Sequence, residues 1–276
     1  MKYFDIHAHV NFAIFDTDRD EVIKRAKEAD VGMINVGTQI ETSRQAVALA
    51  EQYEHLYAIV GLHPIHTCEA EHDADEIGAE TKPFHSKDND FDAVAYEELC
   101  KHPKVVAIGE CGLDFYRLDE ASIERQKKIF IEHIELAKKL GKPLMLHIRS
   151  NPERSAYAEA LEILKQYPEV KGDVHFFAGS LDDAKQFVEL GYTLSFTGAI
   201  TYPKTDNYRE VIAWAPLEMI MSETDCPYVA PVPYRGKRNE PVYVLEVIKK
   251  IAEIKGLPVD QVATQLRENV RRVFGI

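Results

Sequence analysis

Six residues of the types that bind metal ions or move protons stand beside short apolar runs in this chain. His7-Ala8-His9 closes the first run, so two imidazoles project from one face of a strand, with Asp5 two positions earlier on the same face. Glu110 follows Val105-Val106-Ala107-Ile108-Gly109, and His147 follows Leu144-Met145-Leu146. His175 follows Gly172-Asp173-Val174, and Asp225 follows the run from Met219 to Thr224. Singly, each signal is weak. A strand-end histidine is more often hydrogen-bonded or at the surface than a ligand, and an aspartate before Cys226-Pro227 can simply open a turn. Together, four imidazoles and two carboxylates exceed what one tetrahedral zinc with an open position takes. They suit two divalent cations bridged by a carboxylate and a water, which generate a nucleophile near neutral pH.

Such a cluster needs elements that bring distant strand ends to one place. Apolar runs at 3–7, 33–36, 56–61, 105–109, 144–147, 173–176, 192–196 and 219–222 predict eight strands. Amphipathic stretches at 19–30, 42–52, 122–140, 157–165, 181–190, 208–214, 242–254 and 259–272 predict helices between and after them. Strands alternating with helices imply parallel pairing by right-handed crossovers. Eight units in about 250 residues is the size of a TIM (β/α)8 barrel, which collects strand C-termini on one rim. The alternative is an open doubly wound sheet; GxGxxG and GxxxxGK[ST] are both absent, so it lacks its usual support. The chain is read as one domain, residues 1–276. An acidic, apolar-poor stretch at 66–92 interrupts the rhythm after the third strand and reads as a solvated insertion or a lid over the barrel mouth.

The chain has 276 residues, 45% of them apolar, with 33 Lys+Arg against 46 Asp+Glu and a net charge of −13. That composition excludes wholesale disorder. It also argues against coating of long duplex, which calls for a basic face, while leaving room for one strand end in a local basic pocket. No apolar run nears the ~18 residues of a membrane span. A charge at Asp5 speaks against a secretory signal, so a cytoplasmic protein is expected. Cys68, Cys100, Cys111 and Cys226 form no CxxC pair and read as reduced thiols.

Longer motifs surround the six residues. They are Asp5-Ile6-His7-Ala8-His9, Gly61-Leu62-His63-Pro64, the run from Ala107 through Gly109-Glu110-Cys111-Gly112-Leu113-Asp114 to Arg117, His147-Ile148-Arg149, Glu223-Thr224-Asp225-Cys226-Pro227-Tyr228, and Arg235-Gly236-Lys237-Arg238-Asn239-Glu240-Pro241. With the closing run Glu268 to Phe274, they resemble, in order and over essentially the whole chain, the TatD family of metal-dependent deoxyribonucleases in the amidohydrolase-like barrel superfamily. Two departures stand out. His175-Phe176-Phe177 replaces the family's usual His-Cys-Phe, a change expected to affect packing and no ligand. Ser150-Asn151-Pro152-Glu153 follows Arg149 where an alanine and an acidic residue are usual.

The resemblance implies that His7, His9 and Asp225 hold one metal, that His147 and His175 hold a second, and that Glu110 bridges them. The cofactors implied are two divalent cations, Zn²⁺, Mn²⁺ or Mg²⁺; imidazole-rich sites favour the first two. A water acidified by that pair attacks phosphorus in line, with Asp225 as general base, Glu223 orienting the site from behind, and His63 as phosphate contact or proton donor. Arg117, Arg149, Arg235 and Arg238 are expected to bind substrate phosphates, because the guanidinium fork matches phosphate, while Lys237, also a candidate, reads more simply as solvated surface charge. Tyr228, with Tyr116 and Tyr234, is placed to stack on bases. The partner implied is DNA, most simply a single-stranded 3′ end cleaved exonucleolytically, with no membrane. A hydrolase of an amide, ester or lactone bond in a small molecule is the alternative, since the same water chemistry serves all of them. A barrel that only binds is the third reading, disfavoured by the complete ligand set.

Overall fold

The computed structural model describes residues 1–67, 91–116 and 120–276. Cys68, Arg117 and most of the acidic stretch at 66–92 lie outside the described residues. In chain order the principal elements are β1 (Tyr3–Ala8), α1 (Arg19–Glu28), β2 (Val31–Val36), α2 (Ile40–Gln52), β3 (Leu56–Val60), α3 (Ala93–Cys100), β4 (Val105–Asp114), α4 (Ile123–Leu140), β5 (Leu144–Arg149), α5 (Ala156–Leu164), β6 (Gly172–His175), α6 (Leu181–Glu189), β7 (Thr193–Phe196), α7 (Asp206–Trp214), β8 (Ile220–Ser222), α8 (Val244–Lys255) and α9 (Val259–Phe274). The strands pair in sequence order and in parallel. The Ala8–Cys226 bridge brings the last strand segment back to the first, giving a nearly closed TIM barrel ringed by helices.

Parallel strands covered by helices must be apolar on both faces. β2 is buried at every position. The main core lies between sheet and helices, and α4 shows how: Ile129, Phe130, Ile134 and Ala137 are buried on one face. Gly141 ends that helix at φ 62, a left-handed conformation a glycine adopts without strain. A second apolar cluster joins Ile6, Ile34, Ile59, Ala107, Met145 and Met221 of the strands to Val270 and Phe274 of α9, filling the barrel below the rim.

Two elements differ from expectation. β4 runs to Asp114 where the apolar pattern predicts an end at Gly109. Gly109 and Gly112 mimic a strand break, yet a Cβ at Gly112 would meet the His147 carbonyl oxygen at 2.2 Å. The glycine permits a close approach to β5, with the β4–β5 register shifting between Ile108 and Cys111. α3 was also not expected. Asp92 caps it, accepting the amides of Val94 and Ala95 at 3.1 and 3.0 Å.

Candidate metal centre and its cavity

The residues expected at the strand ends converge on the C-terminal rim. His7 and His9 come from the end of β1, Glu110 from β4, His147 from β5, His175 from the last position of β6, and Asp225 from the turn after β8. That turn is fixed from two sides. The Asp225 amide donates to the His7 carbonyl at 2.9 Å, and buried Asn239 donates to the carbonyls of Thr224 and Tyr228 at 2.9 and 2.6 Å. Asp225 itself sits at φ 55. Asp5 does not share the site, contrary to strict alternation. The register of β1 shifts between Asp5 and Ala8, which changes the phase. Asp5 instead accepts the amides of Thr224 at 2.8 Å and His7 at 3.3 Å, stapling the seam between β1 and the segment after β8.

Glu110 lies at the centre. Its Oε2 faces His7 Nε2 at 3.3 Å and His9 Nε2 at 4.0 Å. Its Oε1 faces His147 Nδ1 at 2.9 Å, His63 Nε2 at 3.3 Å and His175 Nε2 at 3.7 Å. Asp225 Oδ1 lies 3.4 Å from His9 Nε2 and 3.9 Å from both His7 Nε2 and His175 Nε2. Behind the cluster, other groups hold the rings. The Val36 carbonyl lies 2.9 Å from His9 Nδ1, Glu223 Oε2 lies 2.9 Å from His175 Nδ1, and Asp114 Oδ2 lies 3.0 Å from His147 Nε2. Carboxylate or carbonyl backing of the far ring nitrogen is what fixes metal-binding histidines.

The electrostatics follow from burial against pairing. Burial pushes the Glu110 carboxyl up, but the surrounding His63 and His7 and the hydrogen bond from His147 outweigh it and hold the group well below the usual carboxylate range. Burial pushes His175 down, yet the Glu223 carboxylate outweighs it and raises the ring to about 10. For His63 burial prevails, with His147 adding to it, and the ring falls to about 4.

The donor set fits divalent cations. His7 Nε2 and His9 Nε2 face each other at 3.1 Å, a separation at which two lone pairs need a proton or a cation between them. Buried His7 Nδ1 has no hydrogen-bond partner among the described residues. Three overlapping groups have ligand atoms within 4.8 Å of one another: His7, His9 and Glu110; His7, His175 and Asp225; and His63, Glu110 and His147.

The model of the TatD-related DNases matches residues 4–275. The chain belongs to that family. It is 37% identical to the Bacillus subtilis metal-dependent hydrolase YabD over 99% of both chains. It is 34% identical to the 3′-5′ ssDNA/RNA exonuclease TatD of Erwinia amylovora, covering 99% of this chain and 100% of that one. The crystal structure of YjjV, a TatD homologue of Escherichia coli K12, superposes with a TM-score of 0.83 at 31% identity, covering 100% of this chain and 98% of that one.

In this TatD-family chain a cavity of about 510 Å³ opens above the cluster. His63, Glu110, His147, His175, Asp225, Arg149 and Tyr228 line it. The Arg149 guanidinium sits over the exposed Tyr116 ring, 4.1 Å from its centroid. Of the other basic candidates, those among the described residues do not line the cavity. Arg235 stacks on Tyr202 at 4.5 Å, Lys237 is exposed, and Arg238 donates to Asp18 at 2.9 Å. Tyr234 stacks on Tyr243 at 3.9 Å and does not line the cavity. Glu223 is fully buried behind His175, and its Oε1 accepts the Phe176 amide at 2.6 Å.

Several residues of this centre escaped the sequence reading. Asp114 lies within the 107–117 run, but only its 3.0 Å separation from His147 Nε2 marks it. Asn239 likewise acts through backbone carbonyls, which no spacing rule reveals. Phe176 was expected to alter packing; its ring instead lines the cavity, while Phe177 is buried in the core.

Proposed function

We propose that this chain is a divalent-metal-dependent hydrolase that cleaves phosphodiester bonds of single-stranded DNA from the 3′ end. The observation that carries this is Glu110, whose two oxygens face two different histidine sets: His7 and His9 on one side, His147, His63 and His175 on the other. Together with Glu110, His7, His9 and Asp225 on one side and His147 and His175 on the other would hold divalent cations. Cations bound there supply an acidified water and positive charge for the phosphoryl oxygens. Asp225 Oδ1 would take the water's proton. Glu223 keeps the His175 ring turned toward the cluster. Arg149 is placed to pair with a substrate phosphate at the cavity edge, and Tyr228 to contact the substrate beside Asp225. The phosphodiester reading is supported by the relative named as a 3′-5′ ssDNA/RNA exonuclease.

The test is a substrate panel assayed with Mn²⁺ and Zn²⁺: a 5′-labelled single-stranded oligodeoxynucleotide, ribonucleotide esters, and a lactone. The expected result is a ladder shortened from the 3′ end that EDTA abolishes. Turnover of the lactone with the oligonucleotide untouched would overturn the phosphodiester assignment.

A further inference from the structure

One sector of the rim carries no metal ligand chemistry and is built differently from the rest. After the ligand His175, Phe176 takes φ 45, in the left-handed region. For a bulky residue this conformation is uncommon and strained, and it persists only where the surroundings impose it. Here they do: the Phe176 amide is held by Glu223 Oε1 at 2.6 Å, and two residues on, the Ala178 amide donates to the Tyr157 hydroxyl at 2.9 Å. The segment is therefore fixed with the Phe176 ring on the cavity wall, intermediate in exposure. Tyr208, at the start of α7, lines the same cavity, as do Ile148 and Ala178. Arg149 stands at their edge, held on Tyr116 at 4.1 Å. A second lining residue, Val229, is also at positive φ, 55, which a β-branched side chain rarely adopts.

We infer that Phe176 and Tyr208 form a nucleobase subsite, in which the base of the strand's terminal nucleotide lies against the aromatic wall while Arg149 takes its phosphate. The inference rests on the phosphodiester reading above and names what that site holds besides the scissile bond. Three features select a base over an aliphatic or acyl group. The wall is aromatic on two elements. A preorganised guanidinium borders it, so a flat apolar group and an anion are accommodated together. Among the described residues, Ile148, Ala178, Phe176 and Tyr208 give this sector π-faces and apolar contact with no buried carboxylate or amide side chain to read a base edge, so any base is accepted. A hydrolysis that places water's oxygen on phosphorus and releases the upstream 3′-oxygen as a hydroxyl leaves a nucleoside 5′-monophosphate, which the subsite retains until release.

The test is binding of that product class, which does not depend on turnover. Isothermal titration of the Mn²⁺-loaded protein with dAMP and with deoxyribose 5-phosphate isolates the base. Stacking is worth roughly 5- to 150-fold in affinity per base, the ~1–3 kcal/mol found by truncating stacking aromatics. dAMP is therefore expected to bind tighter by at least about 5-fold. Phe176→Ala and, separately, Tyr208→Ala should shrink that ratio while leaving deoxyribose 5-phosphate affinity unchanged, and Phe176→Tyr should restore it. Equal affinity of the two ligands for the unsubstituted protein would overturn the subsite. So would variants that weaken both ligands alike, which is the signature of a structural residue. Failure of the substrate panel together with base-dependent dAMP binding would remove the exonuclease reading and leave the subsite standing.

Discussion

His63 Nδ1 accepts the amide hydrogen of Ile65 at 3.0 Å, and an amide can only donate. The neutral ring therefore carries its proton on Nε2, the atom 3.3 Å from Glu110 Oε1 and facing the cavity. A ring protonated there is a donor to a substrate oxygen or leaving group and is not free to ligate through that nitrogen, even though His63 lies within ligand distance of Glu110 and His147. His63→Ala should lower kcat by roughly 10²- to 10³-fold, the range for one positioned hydrogen-bond donor, with metal content unchanged by elemental analysis. Loss of a metal ion in that variant would make His63 a ligand and refute the tautomer argument. The six candidate ligands and His63 could be picked out in the sequence because each ends or follows an apolar run, and a barrel gathers such segments on one rim. What stands behind them was not legible. Asp114 and Ser195 act by hydrogen bonds to side chains from other strands, and Ser195 Oγ lies 2.9 Å from Glu223 and 2.6 Å from Asp173. Such pairings depend on register and strand stagger, which residue type and spacing do not encode.

The same limit applies to the elements. The alternation of strands and helices could be read from apolar periodicity, and the eight strands appear where it put them. β4 was read short because Gly109 and Gly112 look like breaks when the neighbouring strand is unknown. The coupling of β3 to α4 was likewise hidden. His133 of α4 is fully buried; its Nε2 accepts the Leu62 amide at 3.0 Å and its Nδ1 lies 2.8 Å from the Ile129 carbonyl. This ring ties the exit of β3, two residues past Val60, to the helix outside it. Burial lowers its pKa from 6.5 to about 4, against the weaker opposing hydrogen bond to Ile129. The folded protein keeps the ring neutral, whereas the unfolded chain takes up a proton below pH 6.5. The group thus has no pH effect above 6.5, and stability is lost as pH falls from 6.5 to about 4. The loss is about 1.4 kcal/mol per pH unit inside that window, about 3 kcal/mol in all. His133→Gln should be less stable at pH 7 but should show a shallower fall in urea-unfolding free energy between pH 6.5 and 5. Parallel wild-type and variant curves would show that His133 is not the titrating group.

At the scale of the whole molecule, charge decides how the protein can meet a nucleic acid. The chain carries −13, so the body repels a phosphate backbone. Among the described residues one arginine, Arg149, lines the cavity. Arg238 is paired with Asp18, and Arg25 with Glu240 at 2.9 Å, so two cations near the β8 loops are already neutralised within the fold. Arg235 stacks on Tyr202 and is not among the cavity's lining residues. This charge distribution favours gripping a strand at its end over holding it along its length. Counterion release measures this directly, because the logarithm of affinity falls with the logarithm of salt by about 0.7 per phosphate neutralised on a single strand. With one or two phosphates contacted, log(1/KM) for a single-stranded oligonucleotide against log[KCl] should have a slope of about −0.7 to −1.4. Arg149→Ala should flatten the slope by about 0.7, and Arg235→Ala should leave it unchanged, since of the two only Arg149 lines the cavity. Oligonucleotides of 6 and 30 nucleotides should give the same slope if only the strand end is gripped. A slope steeper than about −4, or one that grows with length, would require six or more phosphates on a basic track and would overturn end-on binding.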